Sequence, residues 1–102
     1  MNVRVTLDVS QKYVVAYVEH EGMESALLWG NPSVQWHKDI VSEMKTLGYE
    51  VVSVAGGGWV HIVSNEKKIY FRGTSTRYGT ASQEMTEELM RSAYPEFERI
   101  YE

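Results

Sequence analysis

Residues 12–19, KYVVAYVE, constrain this chain more than any other segment. β-Branched and aromatic side chains follow one another with little polar alternation, so the segment reads as a strand buried on both faces. Such a strand needs neighbours in a sheet and cover on each side of it. The 102 residues available are about one domain's worth, and a single domain over 1–102 is expected.

The neighbours are legible as short periodic runs. Val3, Val5 and Leu7 alternate with polar residues, Asp8 to Gln11 is turn-like, and Ser25 to Trp29 follows a turn at Glu21–Gly22. A first helix is expected after Asn31 as cap and Pro32 at the first position, with Gly48 closing it. Ile40, Val41, Met44 and Leu47 form its apolar stripe. Glu50 to Ala55 alternates as a strand, and Gly56, Gly57 and Gly58 read as a tight corner. Trp59–Ser64 and Lys68–Arg72 make a hairpin around Asn65–Glu66.

A second helix is expected to start near Thr80, with Thr80 and Gln83 as a capping box. Ala81, Met85, Leu89 and Ala93 would form its core stripe, while Glu84, Glu87, Glu88 and Arg91 face solvent; Pro95 stops it. Phe97, Arg99 and Tyr101 then alternate as a final edge strand. The fold class expected is α+β, a small mixed sheet of about six strands flanked by two helices.

Composition excludes several function classes. Ten Lys and Arg stand against 14 Asp and Glu, a net charge of −4, so a basic field for nucleic acid is missing. A basic pocket is still compatible with that balance. No run approaches the roughly 18 apolar residues of a membrane span, and MNVRVTLDVS lacks the apolar core of a signal peptide. Without cysteine there is no disulfide, no thiolate nucleophile and no cysteine-based metal site. A cytoplasmic monomer, bound to neither membrane nor nucleic acid, is expected.

Three places carry residues fit for chemistry. His37 sits in the first turn of helix one and borders the apolar stripe. The positive end of the helix dipole disfavours a charged imidazole there, and a neutral ring can accept a proton. The bland alternative is a packed core histidine. The loop GTSTRYGTA (residues 73–81) leaves a strand, enters a helix and offers Thr74, Ser75 and Thr76 hydroxyls, backbone N–H groups and the Arg77 guanidinium to an anion. Its bland reading is turn and cap chemistry. Lys12 opens a strand, as either an edge charge or a phosphate-facing cation. Trp29, Trp36 and Trp59 read as core anchors, any of which could wall a pocket. His20 and His61 match no metal spacing and read as surface and sheet-face residues. No metal site and no cofactor is expected.

Together these pieces resemble the Janus/ocnus family, which includes the small phosphohistidine phosphatases. The matching segments are KYVVAYV at 12–18, WHKDIVSEM at 36–44, GGG at 56–58, KKIYFRG at 67–73, TSTRYGTA at 74–81 and YPEFE at 94–98. The resemblance implies a small mixed sheet with two helices and metal-independent hydrolysis of the P–N bond in phosphohistidine or related phosphoramidates. It puts the catalytic histidine at His37, the phosphate-binding lysine at Lys12 and the phosphate loop at Gly73 to Gly79, with its serine at Ser75. Thr76 and Arg77 belong to the same loop. The implied partner is a histidine-phosphorylated protein or a phosphoramidate.

Trp29 and Trp59 stand where animal members carry arginines, and Arg77 and Arg72 stand where alanine and tyrosine are usual. A non-catalytic phosphate- or phosphopeptide-binding module of the same fold is the alternative function. A phospholysine phosphatase and a purely structural partner protein are weaker ones.

Overall fold

A computed structural model describes residues 2–102. The chain runs β1 (Val3–Arg4), β2 (Ser10–His20), β3 (Met23–Asn31), α1 (His37–Thr46), β4 (Glu50–Val63), β5 (Lys68–Arg72), α2 (Gln83–Ala93) and β6 (Glu98–Tyr101). One mixed sheet takes all six strands in the order β1-β3-β2-β4-β5-β6. The outer pairs β1/β3 and β5/β6 are parallel, and the rest are antiparallel. This is the α+β architecture expected.

β2 lies near the middle, and its alternation sorts the two cores. Val14, Ala16 and Val18 point to one face, where they meet Trp29 and the α1 residues Ile40, Val41 and Met44. Tyr13 and Val15 point to the other, with Val60, Ile62, Ile69, Phe71 and Met90 of α2. Val14, Val15 and Ala16 are all fully buried, as expected of a strand covered on both sides. Burial in this core pushes the Tyr13 phenol well above its ordinary pKa.

Several boundaries differ from the sequence-based reading. β1 is only two residues long, and Leu7 is exposed. Ser10 and Gln11 already belong to β2. α1 starts at His37, with Trp36 as N-cap, because Asn31 is committed elsewhere: its backbone pairs with Lys12 and its Oδ1 accepts from Ser33 N. Leu47 is the exposed C-cap rather than part of the stripe, and Gly48 follows it at φ 98°. α2 starts at Gln83 with Ser82 as N-cap, its hydroxyl accepting from Met85 N at 3.1 Å. Thr80 does not cap the helix, since its hydroxyl bonds Thr74 Oγ1 and its backbone bridges Gly57. Ala81 is therefore buried outside the helix, and Thr86 and Met90 are the buried α2 positions.

The largest correction concerns the glycines. Gly56, Gly57 and Gly58 are not a corner; they continue β4 straight through to Val63. A register shift opposite Val15 and Ala16 marks a bulge beside them. β5 ends at Arg72, opposite Trp59, so beyond that point β4 keeps β2 on one edge and has no strand partner on the other. The returning loop takes its place, with Gly57 N donating to Gly79 O at 3.0 Å and Ala81 N donating to Gly57 O at 3.4 Å. Side chains would block that approach. A Cβ on Gly56, whose φ is 143°, would lie 2.5 Å from Ala81 N.

At the β6 side of the molecule Arg99 Nε donates to Glu87 Oε1 at 3.0 Å. That hydrogen bond, more than the charge of Arg99 or Arg91, lowers the Glu87 pKa from 4.5. A carboxylate lowered on folding stabilises the native state above its unfolded value and loses that contribution as pH falls through the folded one. Thermal unfolding of Glu87→Gln is therefore expected to lose less stability than the wild type between pH 5 and pH 3. An equal loss in both would show that the pair contributes nothing.

Candidate active site

The site lies on the α1 face, where the start of that helix, the row Lys12–Trp59–Arg72 and the loop after β5 meet. A cavity of about 570 Å³ opens there. Lys12, His37, Ser75, Thr76 and Arg77, the five residues singled out from the sequence, all line it. Gln35, Trp36, Lys38, Trp59 and Thr74 complete the wall. Three cations and no carboxylate face the cavity in a chain whose net charge is −4.

His37 is 8% exposed. Its Nε2 lies 2.9 Å from Gly58 O. A carbonyl can only accept, so Nε2 carries a proton, and in the neutral ring the lone pair is then on Nδ1. Nδ1 has no hydrogen-bond partner among the described residues. The neighbouring chain fixes the ring closely: a Cβ on Gly57 would stand 2.5 Å from Tyr13 O, 3.1 Å from His37 Cδ2 and 3.4 Å from Ser75 Cβ. Gly57 thus lets imidazole, serine and strand converge.

Ser75 is 2% exposed and knits the loop. Its N–H donates to Gly79 O, its carbonyl accepts from Gly79 N at 2.8 Å, and its Oγ accepts from Tyr78 N at 3.1 Å. The Ser75 hydroxyl proton remains available to a ligand. The amide N–H groups of Thr76 and Arg77 have no partner among the described residues, and adjacent amides left open in a turn form an anion-binding concavity.

The two tryptophans that the resemblance sets opposite arginines differ in their surroundings. Trp29 is 2% exposed and packs under Arg4, with Nε1 donating to Glu43 Oε1 at 2.8 Å. It belongs to the α1 core and does not line the cavity. Trp59 does line it, standing between its cross-strand partners Lys12 and Arg72. Lys12 Nζ lies 4.3 Å from its ring centroid and the Arg72 guanidinium carbon 5.2 Å. The indole props the Lys12 ammonium at the cavity instead of adding a charge of its own.

Sequence reasoning missed Gly57 and Gly58 as the site's floor, and it did not separate Trp36 from the core tryptophans. Among the described residues no group of three or more His, Asp or Glu could hold a metal ion, and no helix is long and apolar enough to cross a membrane.

The sequence model of the Janus/Ocnus family matches residues 1–98. No curated protein matches the chain.

Proposed function

The chain belongs to the Janus/Ocnus family, and we propose that it is a metal-independent phosphatase for the P–N bond of phosphohistidine or a related phosphoramidate. The observation that carries this reading is the His37 Nε2 contact to Gly58 O. It leaves a lone pair on Nδ1 beside a basic cavity with a turn of open amides.

Lys12, Arg77, the Ser75 hydroxyl and the amides of Thr76 and Arg77 would hold the phosphoryl oxygens and stabilise charge gathering on them. His37 acts through Nδ1 by one of two routes. As a base it takes a proton from water, whose oxygen bonds phosphorus as the P–N bond breaks, and it then passes that proton to the leaving nitrogen. As a nucleophile Nδ1 bonds phosphorus directly as the P–N bond breaks, the leaving nitrogen takes a proton from water, and a second water later releases phosphate from the ring. Both routes leave positive charge on the imidazole. In both, Gly58 O accepts from Nε2–H and stabilises it, the part played by the third member of a catalytic triad.

The test is phosphate release from a phosphohistidine peptide in the presence of a chelator. Release is expected. Saturable binding without release would replace the reading by the non-catalytic phosphopeptide-binding module, whose motivation is the loss of two arginines to Trp29 and Trp59.

Lys12 supplies a charged donor that Trp59 holds in place. Hydrogen bonds to charged groups contribute about 1.5–3 kcal/mol. Lys12→Met is therefore expected to lower kcat/KM by roughly ten- to hundred-fold. A change below about three-fold would remove Lys12 from the phosphate site. Histidine-phosphorylated protein as the partner, and action as a monomer in the cytoplasm, belong to the same proposal.

A further inference from the structure

Trp36 breaks a local rule. It occupies the N-cap of α1, where Ser, Thr, Asp or Asn would stabilise the helix by about 1 kcal/mol. An indole has only a donor and cannot take up a helix N–H. Among the described residues, the one side-chain bond at this cap comes from Asp39, whose Oδ2 accepts from Trp36 N at 3.2 Å. The residue is also 56% exposed. A large aromatic side chain left in water, at a position that disfavours it, marks a place where stability has been given up for something else.

Its position says what that is. Trp36 precedes His37 and lines the same cavity. Trp36 and His37 therefore wall one cavity. The other two tryptophans are engaged: Trp29 is buried beneath Arg4, and Trp59 is flanked by Lys12 and Arg72. The Trp36 indole has no aromatic, cationic or hydrogen-bonding partner among the described residues.

Resting on the phosphatase reading above, we propose that Trp36 is a stacking platform for the leaving group, so that this site prefers phosphoryl groups carried on a planar ring over those carried on a ringless amine. The phosphoryl group is held by the loop and Lys12, and the ring that departs with the nitrogen lies against the indole. Offset stacking of two aromatic rings adds about 0.5–1.5 kcal/mol beyond simple burial.

The experiment compares N-phosphoimidazole with phosphoramidate, which lacks the ring, on the wild type, Trp36→Ser and Trp36→Phe. Serine is a good N-cap, so Trp36→Ser keeps the helix. The ratio of kcat/KM for phosphoimidazole to that for phosphoramidate is expected to fall roughly two- to ten-fold in Trp36→Ser. Trp36→Phe should restore most of it. Intrinsic reactivity differs between the compounds but cancels when the ratio is compared across variants. An unchanged ratio in Trp36→Ser overturns the proposal. Failure of the phosphatase reading looks different, because the wild type would then release phosphate from neither compound. The ratio of dissociation constants for the same two compounds, read from the Thr76 amide in all three proteins, then judges Trp36 by the same criterion.

Discussion

Replacing His37 with alanine is expected to lower phosphate release from a phosphohistidine peptide by at least about 10²-fold and up to roughly 10⁴-fold. The other histidines cannot substitute, since neither His20 nor His61 lines the cavity. The loss should fall on kcat, because the proposed phosphoryl contacts are those of Lys12 and the loop and not of the imidazole. Alanine also leaves Gly58 O without its donor, at a cost of about 1–3 kcal/mol if water does not replace it. His37→Gln separates the two effects, as its amide can donate to the same carbonyl but has no basic nitrogen. Both variants should be inactive, with glutamine the more stable. Turnover within about three-fold of wild type in either one would remove Nδ1 from the reaction.

Gly57→Ala is the second large effect. The added methyl would press on Tyr13 O at 2.5 Å, and a carbonyl in the central strand pair has no room to yield. Overpacking of this kind costs typically about 1–3 kcal/mol, sometimes more. In a domain of this size that is an unfolding midpoint lower by roughly 5–20 °C. The same methyl meets His37 Cδ2 at 3.1 Å, so turnover should fall even at temperatures where the variant is folded. Gly22→Ala is the control: a Cβ there meets nothing within 4 Å, though its φ of 79° still strains alanine. It should lose some stability and no turnover. If Gly57→Ala were as stable and as active as wild type, the convergence at that glycine would not exist.

The contrast between residues 12–19 and 56–58 shows what local reasoning can reach. KYVVAYVE announces a strand covered on both faces because burial is written in its own side chains, and the structure places it in the middle of the sheet. GGG carries no side chains to read. Local propensity says turn, whereas the cause of those glycines is a loop that returns more than twenty residues later to pack backbone on backbone. Helix starts failed for a similar reason. Asn31 has cap chemistry, but a ladder pairing and an Asx turn claim it first, and Thr80 is held by Gly57 and Thr74. Long-range pairing outweighs a cap worth about 1 kcal/mol.

The candidate site was legible in its charged and hydroxyl members, since Lys12, His37, Ser75, Thr76 and Arg77 converge on one cavity. It was not legible in its aromatic members. Trp29, Trp36 and Trp59 look alike in sequence, yet one is core, one is exposed at the cavity and one supports a lysine. Nothing short of the packing distinguishes them.

The claim on which both catalysis and binding depend is that a phosphoryl group sits between Nδ1 of His37 and the open amides of Thr76 and Arg77. Titrating nitrogen-15-labelled protein with inorganic phosphate and following these nuclei by magnetic resonance tests it directly. The account predicts that both amides and Nδ1 shift along one saturation curve while Nε2 keeps its proton. Saturation confined to other residues, or a free protein whose His37 carries its proton on Nδ1 with Nε2 bare, would contradict it.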